Sequence, residues 1–184
     1  VLAPYSLQEA VELIGHGFDL GDKYKMGCIL HTEASLGQMM ESCSFPEMKE
    51  RYEIIKENEQ MWNSEYLEDA EYVLVAYGLA GRSVIGAVKQ LRDEGHKVGY
   101  IRPITLWPFP EKAFEKVNAN VKGYISIEEN AVGQMVEDVA LTLKKAKQDS
   151  KPVYCMTYAY GVPTMKKIKA DFIKVNNGEM KEVY

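Results

Sequence analysis

Apolar and polar positions follow two regimes along this chain. Between Tyr72 and Val175, short apolar runs alternate with longer stretches whose apolar residues recur at helical spacing. "YVLVAYG", "HKVGYIRP", "GYISIEE" and "KPVYCMTYAYG" are of the first kind and read as strands. "RSVIGAVKQLRDEG", "EKAFEKVNAN", "GQMVEDVALTLKKAKQ" and "TMKKIKADFIKV" are of the second kind and read as helices. Strict alternation of buried strands with helices predicts an α/β fold, a parallel sheet with helices on both faces and right-handed connections.

Before Tyr72 the pattern is less regular. "PYSLQEAVELIGHGFDLGDKY" opens with Ser6 as an N-cap and Glu9 three residues later, a capping-box pattern. Ala10, Leu13, Ile14, Gly17 and Phe18 then mark one helical face. "MGCILHTE" reads as a short strand, and "VLAP" as the end of another strand running into the helix. Together they are expected to be the last αβ unit of a domain whose earlier strands lie upstream. "PEMKERYEIIKENEQMWNSEYLEDAE" shows no strand period and reads as a surface helix or helical linker. Ile54, Ile55, Met61 and Trp62 are its candidates for contact with a body or partner. The expected division is residues 1–46, a linker over 47–70, and an α/β domain over 71–184.

Composition narrows the classes. With 46% hydrophobic and 27% charged residues, the 184-residue chain is ordinary for a soluble globular protein. No apolar run approaches the ~20 residues of a membrane span, and no signal peptide is visible. Cys28, Cys43 and Cys155 are far apart and form no CxxC, which argues against a zinc or iron–sulfur site made by this chain alone. Their odd number favours a reducing cytoplasm. Glu47 to Glu71 holds nine acids and three bases, so this stretch carries the negative charge while the rest is nearly balanced. There is no basic footprint for nucleic acid.

Three stretches at strand ends invite a chemical reading. "AYGLAGRS" puts Gly78 and Gly81 ahead of Arg82 and Ser83. Backbone N–H groups at a helix start beside an arginine suit an anion. The same glycines also suit a tight turn and close helix packing, and the motif is neither GxGxxG nor a P-loop. "ISIEEN" ends a strand with Glu128 and Glu129, whose side chains are expected on opposite faces and so not as an acid–base pair. Both Glu128 and Glu129 are candidate interface residues, one of them expected to face a subunit boundary or the next helix. In "YIRPITLWPFPEKAF", Pro103, Pro108 and Pro110 stop the strand near Arg102 and start a helix. Trp107 and Phe109 there are expected to fix the loop and to form part of a domain or subunit interface. His16, His31 and His96 do not cluster; only His31 lies at a strand's carboxyl end, and a structural role suits it best. "EASLGQMMES" and "ENAVGQMVED" echo each other, either as a repeat of related αβ units or as chance and shared strand-to-helix geometry.

Taken together, "LVAYGLAGRSVIGAVKQLRDEGHKVGYIRPITLWPFPEKAF" and "GYISIEENAVGQMVEDV" resemble the C-terminal domain of thiamine-diphosphate enzymes of the transketolase superfamily. Most of all they resemble the α subunit of 2-oxoacid:ferredoxin oxidoreductases. "APYSLQEAVELIGHGFDLGDKY" and "SLGQMMES" resemble the end of that subunit's pyrimidine-binding domain, so the likeness runs from Leu2 to about Thr164. The resemblance implies a transketolase C-terminal-like domain over 71–184, preceded by the end of a pyrimidine-binding-type domain over 1–46. It also implies oxidative decarboxylation of a 2-oxoacid to an acyl-CoA with reduction of ferredoxin. Thiamine diphosphate with magnesium, iron–sulfur clusters and coenzyme A would serve the whole complex, with none bound by this chain alone. The implied partners are a thiamine-diphosphate-binding β subunit, γ and iron–sulfur subunits, and ferredoxin, in an oligomer. Where relatives read like "LSDG-x-LGQM", this chain has "LHTEASLGQM", so no site role carries over to that loop. The compact linker resembles the 2-oxoisovalerate or 2-oxoglutarate type. This segment is therefore expected to act in assembly and to be inactive alone. The alternatives are a dehydrogenase or transketolase-type chain, and a non-catalytic anion-binding or oligomerisation module.

Overall fold

Ser6 starts the first helix as its spacing predicts: in the computed structural model its side chain accepts the Glu9 N–H at 3.1 Å. The Glu9 carboxylate reaches back one residue further than a capping box requires and accepts the Tyr5 N–H at 2.8 Å. The structure describes residues 1–38, 40–45, 48–148 and 150–184. Two compact units divide them, Val1–Tyr52 and Glu53–Tyr184.

In the first unit, α1 spans Leu7–Tyr24 and α2 Ala34–Gln38. The apolar face predicted for α1 exists, but α1 has no buried residue. Leu13, Ile14, Gly17 and Phe18 instead line an open groove of about 440 Å³ with Leu2 and Leu30. The strand expected at "MGCILHTE" is reduced to one parallel bridge, Leu2 to Leu30, with Leu2 N–H on Ile29 O and His31 N–H on Leu2 O, both 2.8 Å. A ladder grows only as far as a partner strand lies beside it, and here only Leu2 does. The sequence echo does not survive either. Gly37 and Gln38 lie inside α2, whereas Gly133 and Gln134 precede a helix; Met39 of the first copy lies outside the described residues.

Next come α3 (Met48–Asn58), β1 (Trp62–Glu65), β2 (Tyr72–Val75) and α4 (Gly78–Asp93). They are followed by β3 (Val98–Pro103), α5 (Glu111–Phe114), β4 (Gly123–Glu128), α6 (Met135–Lys145), β5 (Val153–Thr157) and α7 (Met165–Asn176). The expected boundary at Pro46 and Glu47 falls outside the described residues. Part of the expected linker is sheet: β1 pairs antiparallel with β3, Trp62 opposite Pro103 and Glu65 opposite Tyr100. Its half-buried and exposed residues alternate as an edge strand requires, and Tyr100 Oη donates to Asn63 at 2.6 Å. The helix expected over 111–120 is a single turn. Asn118 ends the segment, because its N–H goes to Leu67 O and its side chain accepts the Asn120 N–H, competing with helix continuation.

The sheet order is β1-β3-β2-β4-β5, and all pairs except β1 with β3 are parallel. Successive residues of β2 feed opposite cores. Val73 and Val75 pack with Phe114, Tyr124 and Val139 under α5 and α6, and Tyr72 and Leu74 pack with Val84, Leu91 and Phe172 under α4 and α7. This explains the near-continuous apolar strands, since both faces are covered. It also fixes the carboxyl ends of four parallel strands as one edge of the domain.

Candidate functional site at the carboxyl edge of the sheet

The chain goes from β2 to β3 on one side and then returns to place β4 on the other side of β2. The loops after β2 and β4 therefore flank a topological switch point, where open α/β sheets build their ligand crevices. Two helices, α4 and α6, start there.

The start of α6 is closed by the chain itself. Glu128, the last residue of β4, is fully buried. Its Oε2 accepts the N–H groups of Gln134 at 2.7 Å and Met135 at 3.0 Å and the Asn130 Nδ2 at 2.8 Å. Its Oε1 accepts the Val136 N–H at 2.9 Å and the Ser126 hydroxyl at 2.7 Å. Burial alone would raise this carboxyl's pKa. The donors, Gln134 N–H foremost, more than offset that and hold it below the usual carboxylate range. The backbone N–H groups that hold a phosphate in dinucleotide folds thus hold a side-chain carboxylate here.

The loop between Glu128 and α6 is built to make this possible. Asn130 Oδ1 accepts from Val132 N at 3.2 Å and Gly133 N at 2.6 Å, curling the chain back. Gly133 has φ +76°, and a Cβ there would stand 2.7 Å from the Cys155 sulfur. Cys155 lies 3.9 Å from Glu128 Oε1, and burial, with the neighbouring carboxylate, pushes its thiol up to about 11. It stays protonated at neutral pH and is no nucleophile there.

The start of α4 is the opposite case. The helix begins at Gly78, four residues earlier than the spacing suggested, so Gly78 and Gly81 lie in its first turn rather than ahead of it. Tyr77 gives no side-chain cap. A Cβ on Gly81 would meet Ala76 O and Arg102 Cγ, each at 2.9 Å. Glycine is therefore needed for close packing of the Arg102 stem against the helix. Ser83 is half-buried and Arg82 exposed. Among the described residues, the side chains of Arg82 and Arg102 make no hydrogen bond or ion pair.

The proline loop after β3 divides its two aromatic residues. Phe109 is buried and packs on Phe114, ring centroids 6.0 Å apart, while Trp107 is 54% exposed beside a cis bond to Pro108. The loop is tied down by Ile104 N–H on Met61 O at 2.9 Å and by Met61 N–H on the Thr105 hydroxyl at 3.0 Å. Of the four residues expected at an interface, Trp107 and Glu129 are at the surface of this chain. Phe109 and Glu128 are turned inward, one as core packing and the other as a helix cap, so their side chains present no contact surface. After β5, the Tyr158 hydroxyl donates to Asp171 at 2.9 Å, and Lys174 joins the same carboxylate at 2.9 Å, anchoring the last loop to α7. Sequence reasoning missed Asp171 and the five-donor cap on Glu128. The Ser126, Asn130 and Gly133 spacing was the signal for the cap.

Among the described residues, no three His, Cys, Asp or Glu side chains gather to hold a metal ion, and no helix is long and apolar enough to cross a membrane. His16 and His31 are exposed, and His96 packs edge-on against Phe172 at 5.5 Å.

What these features define is a parallel α/β domain, covered on both faces, whose switch-point crevice is half filled from within. The chain belongs to the family of pyruvate:ferredoxin oxidoreductase core domain II, whose model matches residues 70–166. It is 34% identical to the ketoisovalerate oxidoreductase subunit VorB of Methanothermobacter marburgensis, over 77% of this chain and 51% of that protein. It is 41% identical to the 2-oxoglutarate synthase subunit KorA of Methanocaldococcus jannaschii, over 54% of this chain and 25% of that one. The chain thus spans about half the length of the first of these relatives. Among solved structures, the 2-oxoglutarate:ferredoxin oxidoreductase of Magnetococcus marinus shares the fold, with a TM-score of 0.52 and 19% identity, covering 72% of this chain and 24% of that one.

Proposed function

We propose that this chain is part of the α-type subunit of a thiamine-diphosphate-dependent 2-oxoacid:ferredoxin oxidoreductase, with residues 71–184 serving domain and subunit assembly. The reaction is oxidative decarboxylation of a 2-oxoacid to an acyl-CoA with reduction of ferredoxin. The likeness to a ketoisovalerate oxidoreductase subunit over 77% of the chain supports a branched-chain 2-oxoacid as substrate. Residues 1–46 belong, on this reading, to a pyrimidine-binding-type domain, and the partners are a cofactor-binding β subunit with γ and iron–sulfur subunits in the cytoplasm.

The observation that supports a non-catalytic role for this part is the buried Glu128 carboxylate at the α6 start. A diphosphate would need those same N–H groups, and its magnesium would need oxygen ligands gathered at one point. At the α6 start Glu128 already takes those N–H groups, so that position does not fit a diphosphate, and no chemical step is assigned to it. Cys28, Cys43 and Cys155 likewise fall short of the four thiolates of an iron–sulfur cluster. In the complex, thiamine diphosphate supplies the carbanion chemistry from the partner subunit.

The test is anaerobic purification of the complex from its native cells, followed by CoA-dependent viologen reduction with 2-oxoisovalerate, 2-oxoglutarate and pyruvate in parallel. Activity is expected with the branched-chain acid and none from this chain alone. Decarboxylation by the isolated chain, or no activity from the complex with any of the three, would overturn the proposal.

A further inference from the structure

The six or seven residues that follow each parallel strand, 76–81, 104–110, 129–134 and 158–164, contain one charged residue among 26, Glu129. The segments that precede the same strands, 66–71, 94–97, 117–122 and 146–152, contain nine among 23. Loops at a solvated edge are normally polar, and the amino edge obeys this. The carboxyl edge instead exposes large apolar side chains from all four loops. Leu79, Trp107, Val132 and Tyr160 are each more than half exposed, and Ile104 and Leu106 about half. Four adjacent strands set these residues on a band about 15 Å across, since neighbouring strands are about 4.8 Å apart. Depletion of charge with enrichment in aromatic and large aliphatic residues marks the centre of a protein interface.

The charges at this edge say what kind of surface covers it. Arg82 and Arg102 lie beside the band at the start of α4, and neither has a carboxylate partner among the described residues. A second copy of this chain would bring one charged group from these loops, Glu129, to two arginines. With Glu129 as the one carboxylate of these loops, self-docking pairs the two arginines less well than a partner face that carries a carboxylate for each. We propose that the carboxyl edge docks against a different subunit of the same enzyme, through a face that is uncharged and apolar at its centre and carries carboxylates opposite Arg82 and Arg102. This rests on the α-subunit reading above and names the face used and the chemistry of its partner. Val132, Trp107 and Tyr160 are its apolar anchors, and the two arginines set its orientation.

Hydrogen–deuterium exchange on the purified native complex, compared with the same full-length chain alone, tests the proposal. The segments 104–109, 130–134 and 158–163 are expected to exchange at least about tenfold more slowly in the complex. Val132→Asp and Arg82→Glu are each expected to weaken subunit association about tenfold or more without changing the melting temperature of the chain. Glu68→Gln on the opposite edge, at an exposed side chain, is expected to change neither. An intact, active complex with these loops unprotected overturns this inference and leaves the α-subunit reading standing. Protection that appears in the isolated chain and rises with its concentration assigns the face to a second copy and overturns the partner proposed. If no subunit co-purifies with the chain, the α-subunit reading fails and the inference fails with it.

Discussion

Two helix starts flank the switch point, and they are treated in opposite ways. At α6, a buried carboxylate takes three backbone N–H groups and two side-chain donors, and the connecting loop closes around it. At α4, no side chain caps the helix, an exposed arginine follows, Gly81 serves packing and Gly78 takes a left-handed turn at φ +57°. A fold that elsewhere binds phosphates has one of its two anion positions filled internally. The lesson is that a strand–loop–helix pattern with glycines does not by itself announce a ligand. What matters is whether the chain has already supplied the negative charge.

The comparison can be broken from its strong side first. Glu128→Ala takes the acceptor from three N–H groups and two side-chain donors, three of the five bonds being buried, and is expected to lower unfolding free energy by about 4 kcal/mol in denaturant titrations. Gly133→Ala combines a positive φ with a clash on the Cys155 sulfur and is expected to lower it by about 2 kcal/mol. On the α4 side, Gly81→Ala forces Ala76 O or the Arg102 stem to move. About 1 kcal/mol is expected there, because better helix propensity offsets part of the strain. Arg82→Ala is expected to leave the melting curve of the chain unchanged while weakening subunit association. A stability loss at Arg82 as large as that at Glu128 would erase the distinction between the two helix starts.

Much of this was legible in the sequence, and the exceptions have physical causes. Four strands and their intervening helices follow from runs such as "YVLV" and "YISI", because burial on both faces leaves an unmistakable apolar run. The opposite orientations of Glu128 and Glu129 follow from the period of a strand. Edge strand β1 escaped notice because Trp-Asn-Ser-Glu is four residues long and poor in strand formers, and its partner β3 lies some forty residues away. The helix after Pro110 was overextended because the Asn118 turn depends on the Leu67 carbonyl, a tertiary contact. The cap on Glu128 was spelled out in "SIEENAVGQMVED", yet reading it required knowing that Gly133 turns the chain back over the strand end.

The central claim, that Glu128 is a structural anion and not a catalytic acid, is tested most directly by thermal melts of the natural chain and its Glu128→Gln variant across pH, alongside kcat of the complexes carrying each. The folded-state pKa of Glu128 is depressed. Its stabilisation is therefore fully present above the unfolded value of about 4.3 and is lost as pH falls through the lower folded value. The predicted result is a melting-temperature gap that is constant at neutral pH and closes as the solution is acidified below that range, with kcat unchanged at temperatures where both complexes are folded. A variant that melts like the natural chain at every pH but loses kcat would contradict the account.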